Sequence, residues 1–366
     1  MRSKRPLISM SQVQLVYKSM FCQNVISAVW CEPPAWLALN ARAADDEADS
    51  TEDPVYHRPV LQPEVLRLLK PKSGSLIVDA TCGGGGHTEA LLESGADVLA
   101  LDQDPDAVQH VTERLAYFGR RVIVRQANFR HAGCVLDELG IRTVGGILLD
   151  LGVSSRQLEN AARGFSFVRN GPLDMRMDPT TSLTAATIVN QYSEEQLTQL
   201  FRELGEEPAA RRIASLIVKM RKTSPFRETL PLARAIEKLI GRHGRQHPAT
   251  QVFQALRMEV NDELGALEQG LRVLVARLAP GARIAVISFH SLEDRIVKNF
   301  FRDHGREWLD KPEWPEPRRN PDHDLKLVTS KPVEPADEEQ RANPRSRSAK
   351  LRVAEKIHEP FTSKKL

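Results

Sequence analysis

With 366 residues and a net charge of +3, the chain is long enough for about two domains with ample core. It is too weakly basic for its overall charge to argue for a nucleic-acid partner. Its four cysteines, Cys22, Cys31, Cys82 and Cys134, form no CxxC pair; this argues against a disulfide framework or a zinc site, so no metal is expected and a reducing compartment is the default.

Residues 1–55 differ in character from the rest. Met1–Cys31 has no acidic residue but carries Arg2, Lys4, Arg5 and Lys18, and Ala44–Asp53 is acidic. The stretch reads as a disordered leader or a targeting segment ending in a flexible linker, with a start at Met20 as a further alternative. As an organelle transit peptide it would send the chain to the mitochondrial matrix; otherwise a cytoplasmic protein is expected. No apolar run approaches the roughly 18 residues that span a bilayer, so no membrane partner is expected.

From Leu76 the chain alternates. Strand-like runs at Leu76–Ala80, Val98–Asp102, Val122–Arg125 and Gly146–Asp150 are separated by helical patterns at Thr88–Ser94, Pro105–Phe118 and Ala132–Leu139. That order predicts a parallel, doubly wound α/β sheet. The first strand ends in Asp79 and runs into Cys82-Gly83-Gly84-Gly85-Gly86-His87. Glycines let a backbone approach a ligand closely, and the helix start behind them presents free N–H groups. The second strand ends in Asp102, well placed for ribose hydroxyls. The dinucleotide fingerprint G-x-G-x-x-G fails in every register. Acidic-x-x-x-G-x-G does fit, as Asp79, Gly83 and Gly85, and this is how S-adenosylmethionine-dependent methyltransferases usually begin.

After Asp150 the alternation stops. Residues 164–247 show no convincing strand, only helical stretches at Ser193–Leu204, Ala209–Lys222 and Pro231–Leu239. Ser193 with Gln196 has the spacing of a capping box. An inserted helical domain is expected here, between a first sheet segment (56–163) and a second (248–366). Apolar residues from Phe253 to Leu278 recur at three- and four-residue steps, predicting one long helix over Gln251–Leu278 that Pro280-Gly281 ends. A fifth strand at Ile284–Phe289, a helix at Leu292–Arg302 and a loop at Glu307–Asn320 follow. Lys326–Thr329 and Leu351–Ala354 are expected to pair as the last two of seven strands.

Several long runs resemble one family. They are His57–Leu61, Gly84–Thr88, Leu101–Pro105, Ile147–Ser155, Arg163–Phe167, Gly171–Asp178, His247–Thr250, Phe253–Arg257, Ser288–Lys298 and Asn343–Ser348. In order and wording they are similar to the MraW family, over nearly all of 57–357. The resemblance implies a Rossmann-like class I methyltransferase with a helical domain after the fourth strand. It implies S-adenosylmethionine as cofactor, and methylation of N4 of a cytidine in small-subunit ribosomal RNA, free or in a small-subunit particle; the alternatives are a methyltransferase of the same fold acting on another amine in DNA or protein, and a ribosome-assembly factor with dispensable catalysis. It also implies cofactor contacts at Gly85, Gly86, His87, Asp102, Phe129, Asp150 and Gln157. One departure is Cys82 and Gly84, where relatives often carry a bulkier residue and an arginine; a basic contact to the methionine carboxylate is then missing.

The chemistry gives most of these residues a reason. The glycine loop suits the methionine end, Asp102 the ribose, and Phe129 a stack on adenine. Gln157 has no independent argument. Asp150 is the candidate catalytic residue, because a cytosine amine is a poor nucleophile and needs an acceptor beside it. That role competes with a cofactor contact. Arg341, Arg345, Arg347, Lys350 and Arg352 form a basic stretch that suits RNA phosphates. The sequence sets no oligomeric state.

Overall fold

The computed structural model describes residues 59–242 and 247–357. The leader, its targeting reading, and the His57-Arg58 start of the first family run lie outside the described residues.

The alternation folds as expected. Helix α1 (Gln62–Leu69) precedes β1 (Leu76–Asp79), α2 (Gly86–Glu93), β2 (Asp97–Asp102), α3 (Pro105–Arg114), β3 (Val122–Gln126), α4 (Ala132–Glu138) and β4 (Val144–Asp150). A short helix α5 (Ser155–Glu159) leads into α6 (Ala185–Gln191), α7 (Glu194–Glu203), α8 (Ala210–Arg221), α9 (Thr229–Ile240), α10 (Thr250–Asn261) and α11 (Glu263–Ala276). Then come β5 (Leu278–Ser288), α12 (Ser291–Gly305), β6 (Trp308–Leu309), β7 (Arg318–Arg319), β8 (Leu325–Leu327), α13 (Asp337–Ala342) and β9 (Lys350–Lys356).

The main sheet has seven strands in the order β3-β2-β1-β4-β5-β9-β8. The first five run parallel, and β9 is antiparallel to both β5 and β8. This is the class I methyltransferase arrangement. Winding reverses between β1 and β4, which opens a crevice beyond their carboxyl ends. Side chains alternate across the sheet. Val78, Leu99, Ile147 and Val286 pack on one face with α4, α11 and α12; Ile77, Val98, Leu148 and Ile287 pack on the other with α1, α2 and α3. The helical segment has its own core, running from Phe165 through Phe201 and Ile213 to Val260. That core takes in Val252, Phe253 and Leu256 of α10, so the helical layer reaches past 247.

Three expectations need correction. The long helix is two helices, because Asp262 adopts a left-handed conformation (φ 45°). The neighbouring Asn261 explains the break. Its Oδ1 accepts from the Met177 N–H at 2.8 Å and its Nδ2 donates to the Met175 carbonyl at 2.9 Å, tying the end of α10 to the insertion. An aspartate tolerates the turn better than most side chains. Second, Pro280-Gly281 lies inside β5, where Val144 pairs with Leu278 but Gly146 with Arg283. A bulge suits a residue without an N–H beside a glycine at φ +77°. Third, Glu307–Asn320 contains a two-stranded ribbon, Trp308 opposite Arg319.

Ser193 caps α7 through the expected reciprocal bonds with Gln196. Phe201, on the buried face of that helix, is fully enclosed. Phe201→Ala should destabilise the protein by about 3–5 kcal/mol, read as a lower denaturant midpoint; an unchanged midpoint would show that the helical core is loosely packed.

Candidate active site at the strand ends

β2, β1 and β4 are neighbours, and each ends in a carboxylate: Asp102, Asp79 and Asp150. Asp79 is buried and accepts from the Thr88 hydroxyl at 2.6 Å. Burial pushes its pKa up to about 6, against the Thr88 and Thr81 hydrogen bonds. Asp102 also stands at about 6; burial raises it, the N–H groups of Asp104 and Gly83 lower it, and the Asp104 and Asp79 charges raise it. Those two N–H groups donate to it at 2.9 and 2.8 Å. Asp102 therefore anchors the glycine loop to the end of β2.

Asp150 is the most perturbed of the three. Burial, then the charges of Asp79 and Glu293, push it up to about 8. Its backbone N–H donates to Thr81 Oγ1 at 2.6 Å. Its Oδ1 has no hydrogen-bond partner, and its Oδ2 lies 3.7 Å from Nε2 of His87. His87 sits in the first turn of α2, buried, with Nε2 likewise unpartnered. Burial outweighs a hydrogen bond to the Val60 carbonyl and lowers its pKa to about 4.

A cavity of about 620 Å³ opens over these strand ends. Of the expected contacts, Gly86, His87, Asp102, Phe129, Asp150 and Gln157 line it, with Gly83 and Gly84. Gly85 is not among the lining residues; it caps α2 at φ +82°, and a methyl group there would meet Val111 of α3. Its part is conformational. Phe129 packs against Gly270 of α11. Gln157 is buried and engaged at both ends. Nε2 donates to Asp104 at 2.7 Å, and Oε1 accepts from the Ser154 N–H at 3.0 Å in a capping box. Ser154-x-x-Gln157 has the same spacing as Ser193-x-x-Gln196, so this helix start was findable.

Other lining residues were not anticipated. Arg257 of α10 holds Glu263 of α11 with two bonds of 2.8 Å. His290 Nε2 lies 3.1 Å from the buried Glu293, which also accepts from the Phe289 N–H at 2.9 Å. Burial works to raise the Glu293 pKa, but His290, Arg257 and that N–H hold it below the ordinary range. The insertion supplies Phe165, Phe167 and Met177 to the wall. Arg156 and Arg345 also line it, offering cations where the glycine loop lacks one. The basic stretch is partly spent inside the protein: Arg352 pairs with Asp294 at 2.7 Å, and Arg345 bonds Ser155.

The pattern of the MraW methylase family matches residues 54–357. The chain belongs to the MraW methylase family. A relative from Carboxydothermus hydrogenoformans is 50% identical over 304 residues, covering 82% of this chain and 98% of its own. Another, from Heliobacterium modesticaldum, is 49% identical over 309 residues, covering 82% and 99%. A third, from Syntrophotalea carbinolica, is 48% identical over 313 residues, covering 84% and 100%. All three are named ribosomal RNA small subunit methyltransferase H. This MraW protein is a methyltransferase, and its cofactor is S-adenosylmethionine.

The residues present fit that cofactor. A row of carboxylates with an unpartnered oxygen suits a sulfonium cation, and the glycines admit a ligand close to the backbone. Asp102→Ala should release the Gly83 and Asp104 N–H groups and remove a half-buried charged acceptor. The expected loss of cofactor affinity is about ten- to a hundred-fold. Calorimetric titration of the folded variant checks this, and unchanged affinity would remove Asp102 from the site.

Proposed function

We propose that this protein transfers a methyl group from S-adenosylmethionine to the N4 amino group of a cytidine in small-subunit ribosomal RNA, free or in a small-subunit particle. The observation that carries the reading is Asp150, whose Oδ1 is left without a partner at the end of β4. The names of the curated relatives support the RNA substrate. Bound cofactor supplies an electrophilic methyl group. Gly83, Gly84, Gly86, Asp102 and Phe129 would hold it, while Gln157 keeps Asp104 and the loop start in place.

A cytosine amine shares its lone pair with the ring, so positioning and a dry, polar surrounding do most of the work. Asp150 accepts from the amine N–H and takes up positive charge as it develops. The inserted helical layer contributes to RNA binding through exposed Arg211, Arg212, Lys219 and Lys222. Arg341 and Arg347 add exposed charge near the C-terminal end. Among the described residues, no helix is long and apolar enough to cross a membrane.

Mass spectrometry of ribosomal RNA nucleosides, mapped to position, tests the substrate. Cells without the protein should lack one N4-methylated cytidine, and an unchanged nucleoside map would reject the reading. Single-turnover methyl transfer at saturating cofactor tests Asp150. Asp150→Ala should be roughly a hundred- to a thousand-fold slower and Asp150→Asn less impaired; a parental rate for Asp150→Ala would leave Asp150 a structural residue.

The raised pKa has a further consequence. With Asp150 at about 8, the free protein holds it protonated at neutral pH. A sulfonium favours the ionised form, so binding releases a proton. Affinity for S-adenosylmethionine should rise with pH between about 7 and about 8, by at most about tenfold per unit, then level off. The neutral product S-adenosylhomocysteine should show a smaller rise. Equal slopes for both ligands by calorimetry would separate Asp150 from the cofactor charge.

A further inference from the structure

The family resemblance makes His87 a cofactor contact, but the geometry offers its ring another task. The Val60 backbone carbonyl is the hydrogen-bonding group that acts on the ring's ionisation. Nε2 is the nitrogen without a partner, so we assign the neutral ring's proton to Nδ1, on the Val60 side. Nε2 is left as a bare lone pair, buried, 3.7 Å from Asp150 Oδ2. A buried acceptor without a donor is costly unless one arrives. The nearest carboxyl is one that holds a proton through neutral pH.

Resting on the proposed amine methylation, we propose that His87 is a positioning residue. Its neutral imidazole accepts the hydrogen bond of Asp150 once Asp150 has taken the proton released by the substrate amine. In the step itself, the amine lone pair forms the N–C bond as the methyl carbon–sulfur bond breaks, and that bonding pair stays on sulfur. The nitrogen, now carrying one hydrogen too many, gives a proton to the Asp150 carboxylate. The resulting acid donates from Oδ2 to His87 Nε2, and Oδ1 stays turned to the amine. His87 does not itself take the proton, since its low basicity keeps the ring neutral.

The surroundings leave this task to His87. Asp79 from β1 and Glu293 from α12 act on Asp150 through their negative charge, not through a hydrogen bond. Glu293 is engaged by His290 and the Phe289 N–H, and Arg257 by Glu263. Asp102 accepts from two backbone N–H groups. Arg345 is held by Ser155 and Glu159. The position of the ring is fixed from behind, because Gly86 leaves room for the Pro59 ring and a methyl group there would overlap it. That packing brings the Val60 carbonyl to His87.

The test uses the full-length protein and two nuclear magnetic resonance readouts without substrate or cofactor. The ¹⁵N shifts of His87 should show a neutral ring protonated at Nδ1. The ¹³C-carboxyl titration of Asp150 should move down by about one pH unit in His87→Phe, the worth of one hydrogen bond to the acid form. His87→Gln, which can offer an amide oxygen, should keep most of the parental value. Should His87→Phe fail to fold, Asp150→Ala read at His87 Nε2 replaces it, and a shift in that signal is expected. An Nε2–H tautomer, an unmoved Asp150 titration, or an unmoved His87 signal in Asp150→Ala would overturn the proposal. So would a His87→Phe variant whose only defect is weaker cofactor binding. If the parent fails to methylate cytidine while these titrations behave as stated, the substrate reading fails and the His87–Asp150 pairing stands.

Discussion

Three like-charged side chains crowd the ends of three neighbouring strands, and the rest of the site depends on how that crowding is relieved. Asp79 is fully buried and Asp102 and Asp150 are half-buried, where charges repel more strongly than in bulk solvent. The protein lowers the strain by different means in each case. A threonine hydroxyl satisfies Asp79, two backbone N–H groups satisfy Asp102, and a proton satisfies Asp150. The last solution is reversible. A cation entering the cavity can take over from the proton, which in the proposed reaction couples cofactor charge to the ionisation of Asp150.

The same economy organises the loop after β2. Asp104, almost fully buried, caps α3 and accepts from Gln157 and Arg163. Arg163 also reaches the carbonyls of Arg176 and Met177 in the helical segment. One carboxylate thus joins the cofactor side of the sheet, the short helix after β4 and the insertion. Removing either partner from such a buried pair leaves an uncompensated charge, which is more damaging than never having formed it. The insertion is a wall of the active-site cavity, and Phe165, Phe167 and Met177 are its contribution.

Much of the architecture was legible in one dimension because its signals are local. Strand and helix periods, the carboxylates that end β1, β2 and β4, and the glycines behind β1 depend on neighbours a few residues apart. So does the cap at Ser193. The pairing of Lys326–Leu327 with Ala354 and Glu355 was also within reach, since two short apolar runs had no other partner. The break at Asp262 was not. Its cause is a hydrogen bond between Asn261 and Met177, 84 residues apart in the chain, and the apolar periodicity of α10 and α11 runs straight across it.

The sequence by itself determined the chain order of the seven sheet strands, the family, and which residue types stand at the strand ends. Only the tertiary structure decided what each can do there. Gly85 and Gly86 are adjacent in the chain, yet one serves a turn and the other makes room for Pro59. Gln157, read from the resemblance as a contact, has its amide engaged by Ser154 and Asp104. His87 and Asp150 stand 63 positions apart, and nothing in either neighbourhood marks them as a pair. Burial and an unfilled lone pair make them one. Both are set by distant segments meeting around a shared cavity, and no local pattern in a chain encodes that meeting.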